Sequence, residues 1–222
     1  ESVKAQSYPG WELCIADDCS KNPEIREIIK EYAERDARIK YVFRETNGHI
    51  SEASNSALEI AKGEFSVLLD HDDVLAPDAL YHILLQLNLD RSIDLIYTDE
   101  DKINELNEHR EPHFKPEWSP DNLLSRNYFG HLVVLRSSIL NEIGGFRKGF
   151  EGSQDYDLLL RFTERTNKIA HVPRVLYHWR IHEESAAASE TAKPYAYHAA
   201  KRALEEALER RNEPGKVDFL PG

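Results

Sequence analysis

Three carboxylates lie within four residues, directly after an apolar run, and they are the strongest chemical feature of the sequence. The run Val67–Leu69 leads into Asp70, His71, Asp72 and Asp73. Short apolar runs bounded by Gly and Pro are typical of buried strands in parallel sheets, where ligands bind beyond the carboxyl ends. Like charges there repel one another unless a cation holds them. We therefore expect a site for Mg²⁺ or Mn²⁺, which bind carboxylates and substrate phosphates together.

A fourth carboxylate is predicted to open a helix. Ser153 is a suitable N-cap for a helix over residues 154–162, which places Asp155 in the first turn. The helix dipole favours an anion there, and a carboxylate aimed into a cleft can act as a general base. The alternative is that Asp155 only helps to cap the helix.

A third group lies on a predicted strand over residues 175–181. His178, Arg180 and His182 alternate along the chain, so they are expected to share one face. Imidazole is a common metal ligand, and the guanidinium fork suits a diphosphate. A lone histidine here would more often be structural, but an Arg and a His two residues apart favour a role beside the metal.

Strands and helices alternate in the first hundred residues, which predicts a parallel sheet. The predicted strands cover residues 11–16, 39–43, 67–69 and 93–97, and the helices cover 25–33, 50–61 and 77–87. The second half is less regular: a long loop or ribbon over 102–120, strands over 131–135 and 175–181, and helices over 154–162 and 194–211. Residues 1–6 are predicted to end a helix with no strand before it.

Composition excludes some classes of function. The net charge of the 222 residues is −12 and the charges are scattered, which disfavours a nucleic acid as partner. No apolar stretch reaches the roughly 18 residues of a transmembrane helix. Cys14 and Cys19 could form a disulfide, but two cysteines favour reduced thiols and a cytoplasmic location.

Two other interpretations of these residues stay open. Asp70, Asp72 and Val74 fit the D-x-D-x-[TV] motif of haloacid-dehalogenase-like phosphatases. That family keeps the motif on its first strand, whereas two strands are predicted to come first here. The other alternative is a non-catalytic nucleotide- or carbohydrate-binding module of a longer protein.

Six motifs in order resemble family 2 glycosyltransferases of the GT-A fold, close to bacterial enzymes that build O-antigen, rhamnan and related surface polysaccharides. The motifs are Ala16–Ser20, Asn47–Ser51, Asp70–Asp73, Tyr97–Lys102, Gln154 with Asp155, and Arg180 with His182. The resemblance covers residues 1 to about 211. It implies an α/β GT-A fold, with a mostly parallel central sheet flanked by helices, from which the first strand is missing.

The resemblance also implies a role for each matching residue. Asp155 would be the catalytic base; the nucleotide-sugar would contact Asp17, Asp18, Asn47, Asp70 and Arg180; the metal would bind Asp72 and His182; and the secondary candidates are Asp73, Asp99 and Gln154. The sequence departs from the family pattern at Ser54, where an Arg is usual, and at Gln154, where a Glu is usual.

The implied activity is metal-dependent, inverting transfer of a hexosyl or deoxyhexosyl group from a UDP- or dTDP-sugar to a saccharide acceptor. We expect the acceptor near Asn127–His131 and Trp118, whose aromatic rings could stack on sugars. A lipid-linked acceptor, and peripheral attachment to the cytoplasmic face of the inner membrane through a longer parent chain, stay open. We expect one domain over 1–213, with a nucleotide-sugar half (1–101), an acceptor half (102–190), a C-terminal helix (191–213) and a tail (214–222).

Overall fold

The computed structural model of the protein describes residues 1–181 and 194–218, which form alternating strands and helices. The strands are β1 (Leu13–Asp17), β2 (Ile39–Phe43), β3 (Phe65–Val67), β4 (Val74–Leu75), β5 (Leu95–Ile103), β6 (His109–His113), β7 (Val133–Arg136) and β8 (Ile169–Arg180). The helices are α1 (Pro23–Arg35), α2 (His49–Ile60), α3 (Ala79–Leu89), α4 (Pro120–Ser125), α5 (Ser137–Glu142), α6 (Gln154–Thr163) and α7 (Pro194–Arg211). Within the described ranges, no helix is both long and apolar enough to cross a membrane.

The chain divides into two compact units, each assembled from three segments. Unit 1 comprises Glu1–Pro9, Phe65–Ile139 and Arg165–Lys193, and unit 2 comprises Gly10–Glu64, Leu140–Glu164 and Pro194–Gly222. Each unit has its own sheet and its own buried side chains. The division of the chain at residues 101 and 190 stays a prediction.

Unit 1 is built on a six-stranded sheet with β5 at its centre. The strand order is β3-β7-β5-β8-β4, and β6 pairs with the far end of β5. Leu95, Ile96 and Tyr97 of β5 are completely buried. Full burial of each such side chain contributes roughly 1.5–3 kcal/mol, so this stretch of β5 forms the core on which the other strands assemble.

The sheet is mixed, whereas we predicted a mostly parallel one. Among the described strand pairs, β1–β2 and β5–β8 are parallel, and β3–β7, β4–β8, β5–β6 and β5–β7 are antiparallel. A tight turn over residues 104–108 returns the chain from β5 to β6, and such a hairpin is necessarily antiparallel. The α/β class is confirmed. The strand direction was wrong because an unbroken apolar run reports burial on both faces, not the direction of its neighbours.

Two strand boundaries differ from those predicted at the chemically important positions. β3 ends at Val67, so Leu68 and Leu69 lead into the acidic turn without belonging to the strand. β5 continues six residues beyond its predicted end at Tyr97. Its polar residues stay in the sheet because they find partners on β8: Asp99 meets His171, and Asp101 meets His178.

Unit 2 combines the parallel pair β1–β2 with four longer helices. In α7 the buried stripe is Ala199, Ala203 and Ala207. Small residues four apart let α7 approach α6, whose Leu158–Leu160 are buried.

Candidate active site

The acidic turn of unit 1 joins β3 to β4 and presents its three carboxylates in different environments. The turn is closed by the backbone N–H of Asp73, which donates to the carbonyl of Asp70 at 3.3 Å. The side chains of Asp70 and Asp72 are 50% and 37% exposed, whereas Asp73 is buried. Two carboxylates therefore face solvent and one faces the protein.

Asp73 fastens the turn to β8. One carboxylate oxygen accepts a hydrogen bond from the hydroxyl of Tyr177, and the other accepts from the backbone N–H of Arg180 at 2.7 Å. The Tyr177 oxygen also accepts from the backbone N–H of Asp70 at 3.3 Å. Burial and the nearby charges of Asp70 and Asp72 raise the pKa of Asp73, although both hydrogen bonds oppose the shift. Asp73, a secondary candidate for ligand binding, is therefore engaged in positioning the turn.

The side chain of Arg180 also contributes to holding this turn. Its Nε donates to the carbonyl of Asp72 at 2.9 Å, and its two terminal nitrogens donate to the carbonyl of Asn104 at 3.1 Å and to Oδ1 of Asn107 at 3.0 Å. Arg180 thus links the acidic turn to the β5–β6 hairpin. The proposed contact with a diphosphate stays a prediction, and His182 lies outside the described residues.

An imidazole lies beside the exposed part of the turn. The ring of His131 stacks on Tyr177 with 4.6 Å between ring centroids, and its Nε2 lies 4.0 Å from Oδ2 of Asp70. We expected His131 near the acceptor, but its ring lies next to Asp70, a carboxylate of the acidic turn. Any group bound by Asp70 would therefore meet this ring as well.

Asp99 is buried in the sheet, and one of its carboxylate oxygens has two partners there. Its Oδ1 accepts from the backbone N–H of Lys115 at 2.9 Å and lies 2.8 Å from Nε2 of His171. This secondary candidate therefore serves as a cross-strand anchor in unit 1. A base that must reach substrate needs an exposed carboxylate, which Asp99 does not offer.

Lys115 is a buried cation that sequence reasoning missed. Its Nζ donates to the carbonyls of Phe129 and His131 and lies 3.4 Å from Oε2 of Glu100. Burial lowers the pKa of Lys115 to about 8, while Glu100 and Asp99 oppose the shift. The lysine therefore fixes the backbone that carries His131. Its only sequence signal was a basic residue inside the aromatic and proline-rich stretch that precedes Trp118.

The aromatic residues expected to stack on an acceptor sugar are mostly core residues. Tyr128 and Phe129 are buried, and Phe129 stacks on Tyr97 with ring centroids 4.3 Å apart. Trp118 is half-buried and packs against Phe129 at 5.6 Å. The expected stacking role is therefore wrong for Tyr128 and Phe129, because aromatic rings in this segment satisfy the core first. Trp118 stays a prediction.

Two motifs of unit 2 meet at one loop corner. Asp18 accepts from the backbone N–H of Gly48 at 2.9 Å and pairs with Nε of Arg44 at 2.8 Å, and Asn47 donates to the Asp18 carbonyl at 3.0 Å. The structure thus brings Asp18 and Asn47 together, and their role in nucleotide binding stays a prediction.

Asp17 sits beside this corner but faces inward. Its carboxylate accepts from Nε of Arg26 at 2.8 Å and from the backbone N–H of Ser20 at 3.2 Å. Burial alone would raise the pKa of Asp17, but the hydrogen bonds from Ser20 and Arg26 outweigh it and lower the pKa. Asp17 therefore carries a stable negative charge that holds the start of the loop in place.

Two carboxylates near the start of α6 differ in burial. Asp155 is half-buried in the first turn, whereas Asp157 is completely buried and pairs with Arg147 and Arg161. Ser153 precedes the helix as predicted, but its hydroxyl donates to the carbonyl of Ala196 instead of capping α6.

Gln154 turns back toward the loop before α6. Its side-chain oxygen accepts from the backbone N–H of Gly152 at 2.7 Å. Gly152 has φ +87°, and a Cβ there would also collide with Ala196, so a glycine is required at this position. Gln154 therefore fixes the loop that introduces Asp155.

The chain is similar to several known proteins. The family model "Glycosyl transferase family 2" matches residues 1–144. An uncharacterized protein of Sinorhizobium fredii is 53% identical over 95% of this chain and 23% of its own length. O-antigen biosynthesis protein RfbC of Myxococcus xanthus is 37% identical over 97% of this chain and 17% of its own. This chain therefore spans less than a quarter of either relative.

A solved structure shares the fold at low sequence identity. The structure of S. aureus TarS residues 1–349, in complex with UDP-GlcNAc, superposes with a TM-score of 0.74 at 19% identity, covering 93% of this chain and 60% of that one. At this identity the similarity establishes the fold but not the chemistry of the site.

The buried Lys115 generates a test of the loop that carries His131. An unfolded lysine has a pKa near 10.4, so between about pH 8 and 10.4 the unfolded chain holds a proton that the folded chain has lost. The free energy of unfolding should therefore rise with pH in this window, relative to the variant Lys115→Met, by on the order of 3 kcal/mol. Urea unfolding of both proteins between about pH 7.5 and 10.5 spans the folded and unfolded pKa values and measures the difference. A constant difference across the window would show that the pKa of Lys115 is not lowered.

Proposed function

Because the chain belongs to glycosyl transferase family 2, we propose that it is the catalytic domain of a metal-dependent, inverting hexosyl- or deoxyhexosyltransferase. The donor would be a UDP- or dTDP-sugar and the acceptor a growing saccharide of a bacterial surface polysaccharide. The UDP-GlcNAc complex of TarS supports a nucleotide-sugar donor, and similarity to the O-antigen biosynthesis protein RfbC supports a surface polysaccharide. The chain spans less than a quarter of these relatives, so the activity of the whole protein is also part of this proposal.

The observation that carries the proposal is the acidic turn fastened to β8 with two of its carboxylates half-exposed. Asp70 and Asp72 offer hard oxygen donors, which fit Mg²⁺ or Mn²⁺. Asp72 would hold the cation together with His182, and Asp70 would contact the nucleotide-sugar. The bound cation supplies charge neutralisation to a departing diphosphate.

The catalytic base in this proposal is Asp155. Its position in the first turn of α6 favours the ionised carboxylate that a base requires. The neighbouring candidates Asp157 and Asp99 are buried, whereas Asp155 is half-buried. Asp155 would take the proton of the acceptor hydroxyl as that oxygen attacks the anomeric carbon. One displacement without a covalent enzyme intermediate inverts the anomeric configuration.

The remaining residues would recognise the donor and the acceptor. Asp18 and Asn47 meet at one loop corner with Asp17 buried beside them, and this region would bind the nucleotide base. Arg180 would contact the diphosphate, and His131 and Trp118 would lie toward the acceptor. We place the reaction in the cytoplasm, where nucleotide-sugars are the activated donors. One version of the proposal has a lipid-linked acceptor at the inner membrane.

Removal of the exposed carboxylate Asp72 tests the cation's place in donor binding. We expect Asp72→Ala to lower the affinity for UDP or dTDP in the presence of Mn²⁺ and to leave the metal-free affinity unchanged, because only the metal-mediated contact is lost. Calorimetric titration with and without Mn²⁺ measures both affinities. Asp121→Ala removes an exposed carboxylate of the same unit and serves as the control. Equal metal dependence in Asp72→Ala and the control would remove Asp72 from the site.

Replacement of the proposed base tests the chemical step. Asp155→Asn keeps the size of the side chain but cannot accept a proton, so turnover should fall by about 10²–10⁴ with nearly unchanged donor binding. Release of nucleoside diphosphate from the donor, in the presence of saccharide acceptors, measures turnover.

The neighbouring carboxylate supplies the comparison for this experiment. Asp157→Asn should instead lower the melting temperature, because it leaves Arg147 and Arg161 without their buried partner. Retention of more than about a tenth of turnover by Asp155→Asn would contradict its role as base. Donor binding without any turnover in the unaltered protein would favour a non-catalytic binding module.

A further inference from the structure

We propose that Asp101, His109 and His178 form a second metal site in unit 1, suited to a cation of the Zn²⁺ class. Oδ1 of Asp101 lies 2.6 Å from Nδ1 of His178, and its Oδ2 lies 2.8 Å from Nδ1 of His109. One ligand atom from each residue falls within 4.8 Å of the others. Ligand atoms so close together can all reach one ion at the roughly 2.0–2.2 Å typical of zinc bonds to nitrogen and carboxylate oxygen.

Three strands bring these ligands together. Asp101 of β5 is the direct register partner of His178 on the parallel strand β8. The antiparallel strand β6 places His109 opposite Ile103, and the register of β5 against β6 shifts between Glu100 and Lys102. The two imidazole rings meet edge to face, with centroids 4.6 Å apart. Rigid sheet positions, instead of flexible loops, therefore fix the ligand set.

The burial of the cluster resembles that of an open metal site. The side chains of Asp101 and His178 are 10% and 13% exposed, whereas His109 is 57% exposed. Among the described residues, the ion pairs of Asp101 are with these two imidazoles. A cation would compensate the charge of this nearly buried carboxylate, and the exposed side at His109 leaves room for water as a fourth ligand.

The donor atoms set this cluster apart from the acidic turn. Two imidazole nitrogens and one carboxylate oxygen favour Zn²⁺ and its late first-row neighbours, whereas the carboxylates of Asp70 and Asp72 favour Mg²⁺ or Mn²⁺. The proposal does not rest on glycosyl transfer, since the cluster would bind its cation whether or not the turn does.

The cation would connect the same strands on which Arg180 depends. Asn104 and Asn107, which accept from the guanidinium of Arg180, lie in the turn between β5 and β6. A metal bound to Asp101, His109 and His178 ties both strands of this hairpin to β8. It would thus stabilise the support of Arg180 against fraying of the hairpin.

Calorimetric titration of the full 222-residue chain with ZnCl₂ alone tests the proposal. His109→Gln removes an exposed ligand with little risk to folding, and His113→Gln removes the other histidine of β6, which faces Glu100. We expect His109→Gln to weaken the tightest Zn²⁺ site by about tenfold or more, since even outer-shell partners are worth that much. His113→Gln and Asp72→Ala should leave that site unchanged, and MgCl₂ should not compete for it.

X-ray absorption at the zinc edge supplies the second measurement. It should show two imidazole ligands in the unaltered protein and fewer in His109→Gln. Three results would each overturn the proposal: no Zn²⁺ bound, equal affinity in the His109→Gln and His113→Gln variants, or no imidazole in the absorption spectrum. Displacement of Zn²⁺ by an equal concentration of Mg²⁺ would refute the assigned class of cation.

Discussion

The buried carboxylate of Asp73 is the interaction on which the candidate site of unit 1 depends. Its two oxygens accept from the Tyr177 hydroxyl and the Arg180 backbone, so the acidic turn is fixed to β8 at one residue. A buried carboxylate without partners would cost several kcal/mol, about the worth of a broken buried ion pair. The fold therefore cannot place Asp73 there without also placing Tyr177 and Arg180, and Asp70 and Asp72 face outward as a consequence.

The same division between anchoring and exposed groups recurs through the chain. Asp157 and Asp99 are buried, whereas Asp155 is half-buried at the start of its helix. Neighbouring carboxylates of identical chemistry thus separate into structural and reactive candidates by burial alone. The role of Asp155 as base stays a prediction.

The sequence predicted those features whose physical signal is local. Helical periodicity located α1 within two residues, and the short apolar strand β2 was predicted with its observed bounds. The acidic turn was found because three carboxylates within four residues can be recognised without tertiary information. The extension of β5 through Asp99 and Asp101 was missed, since a charged strand is stable only with the histidines that β8 supplies. The roles of Tyr177 and Lys115 were missed for the same reason. Asp73, the partner of Tyr177, lies 104 residues away along the chain, and Glu100, which lies beside Lys115, is about 15 residues away.

The central claim is that β8 aims the acidic turn through the Tyr177 hydroxyl. The most direct measurement is the Mn²⁺-dependent gain in UDP or dTDP affinity of Tyr177→Phe, compared with Tyr97→Phe, which loses a buried hydroxyl bonded to the Pro116 carbonyl instead. One buried hydrogen bond is worth about 1–3 kcal/mol, so the gain should fall about tenfold in Tyr177→Phe and stay unchanged in Tyr97→Phe. An undiminished gain in Tyr177→Phe would contradict the account.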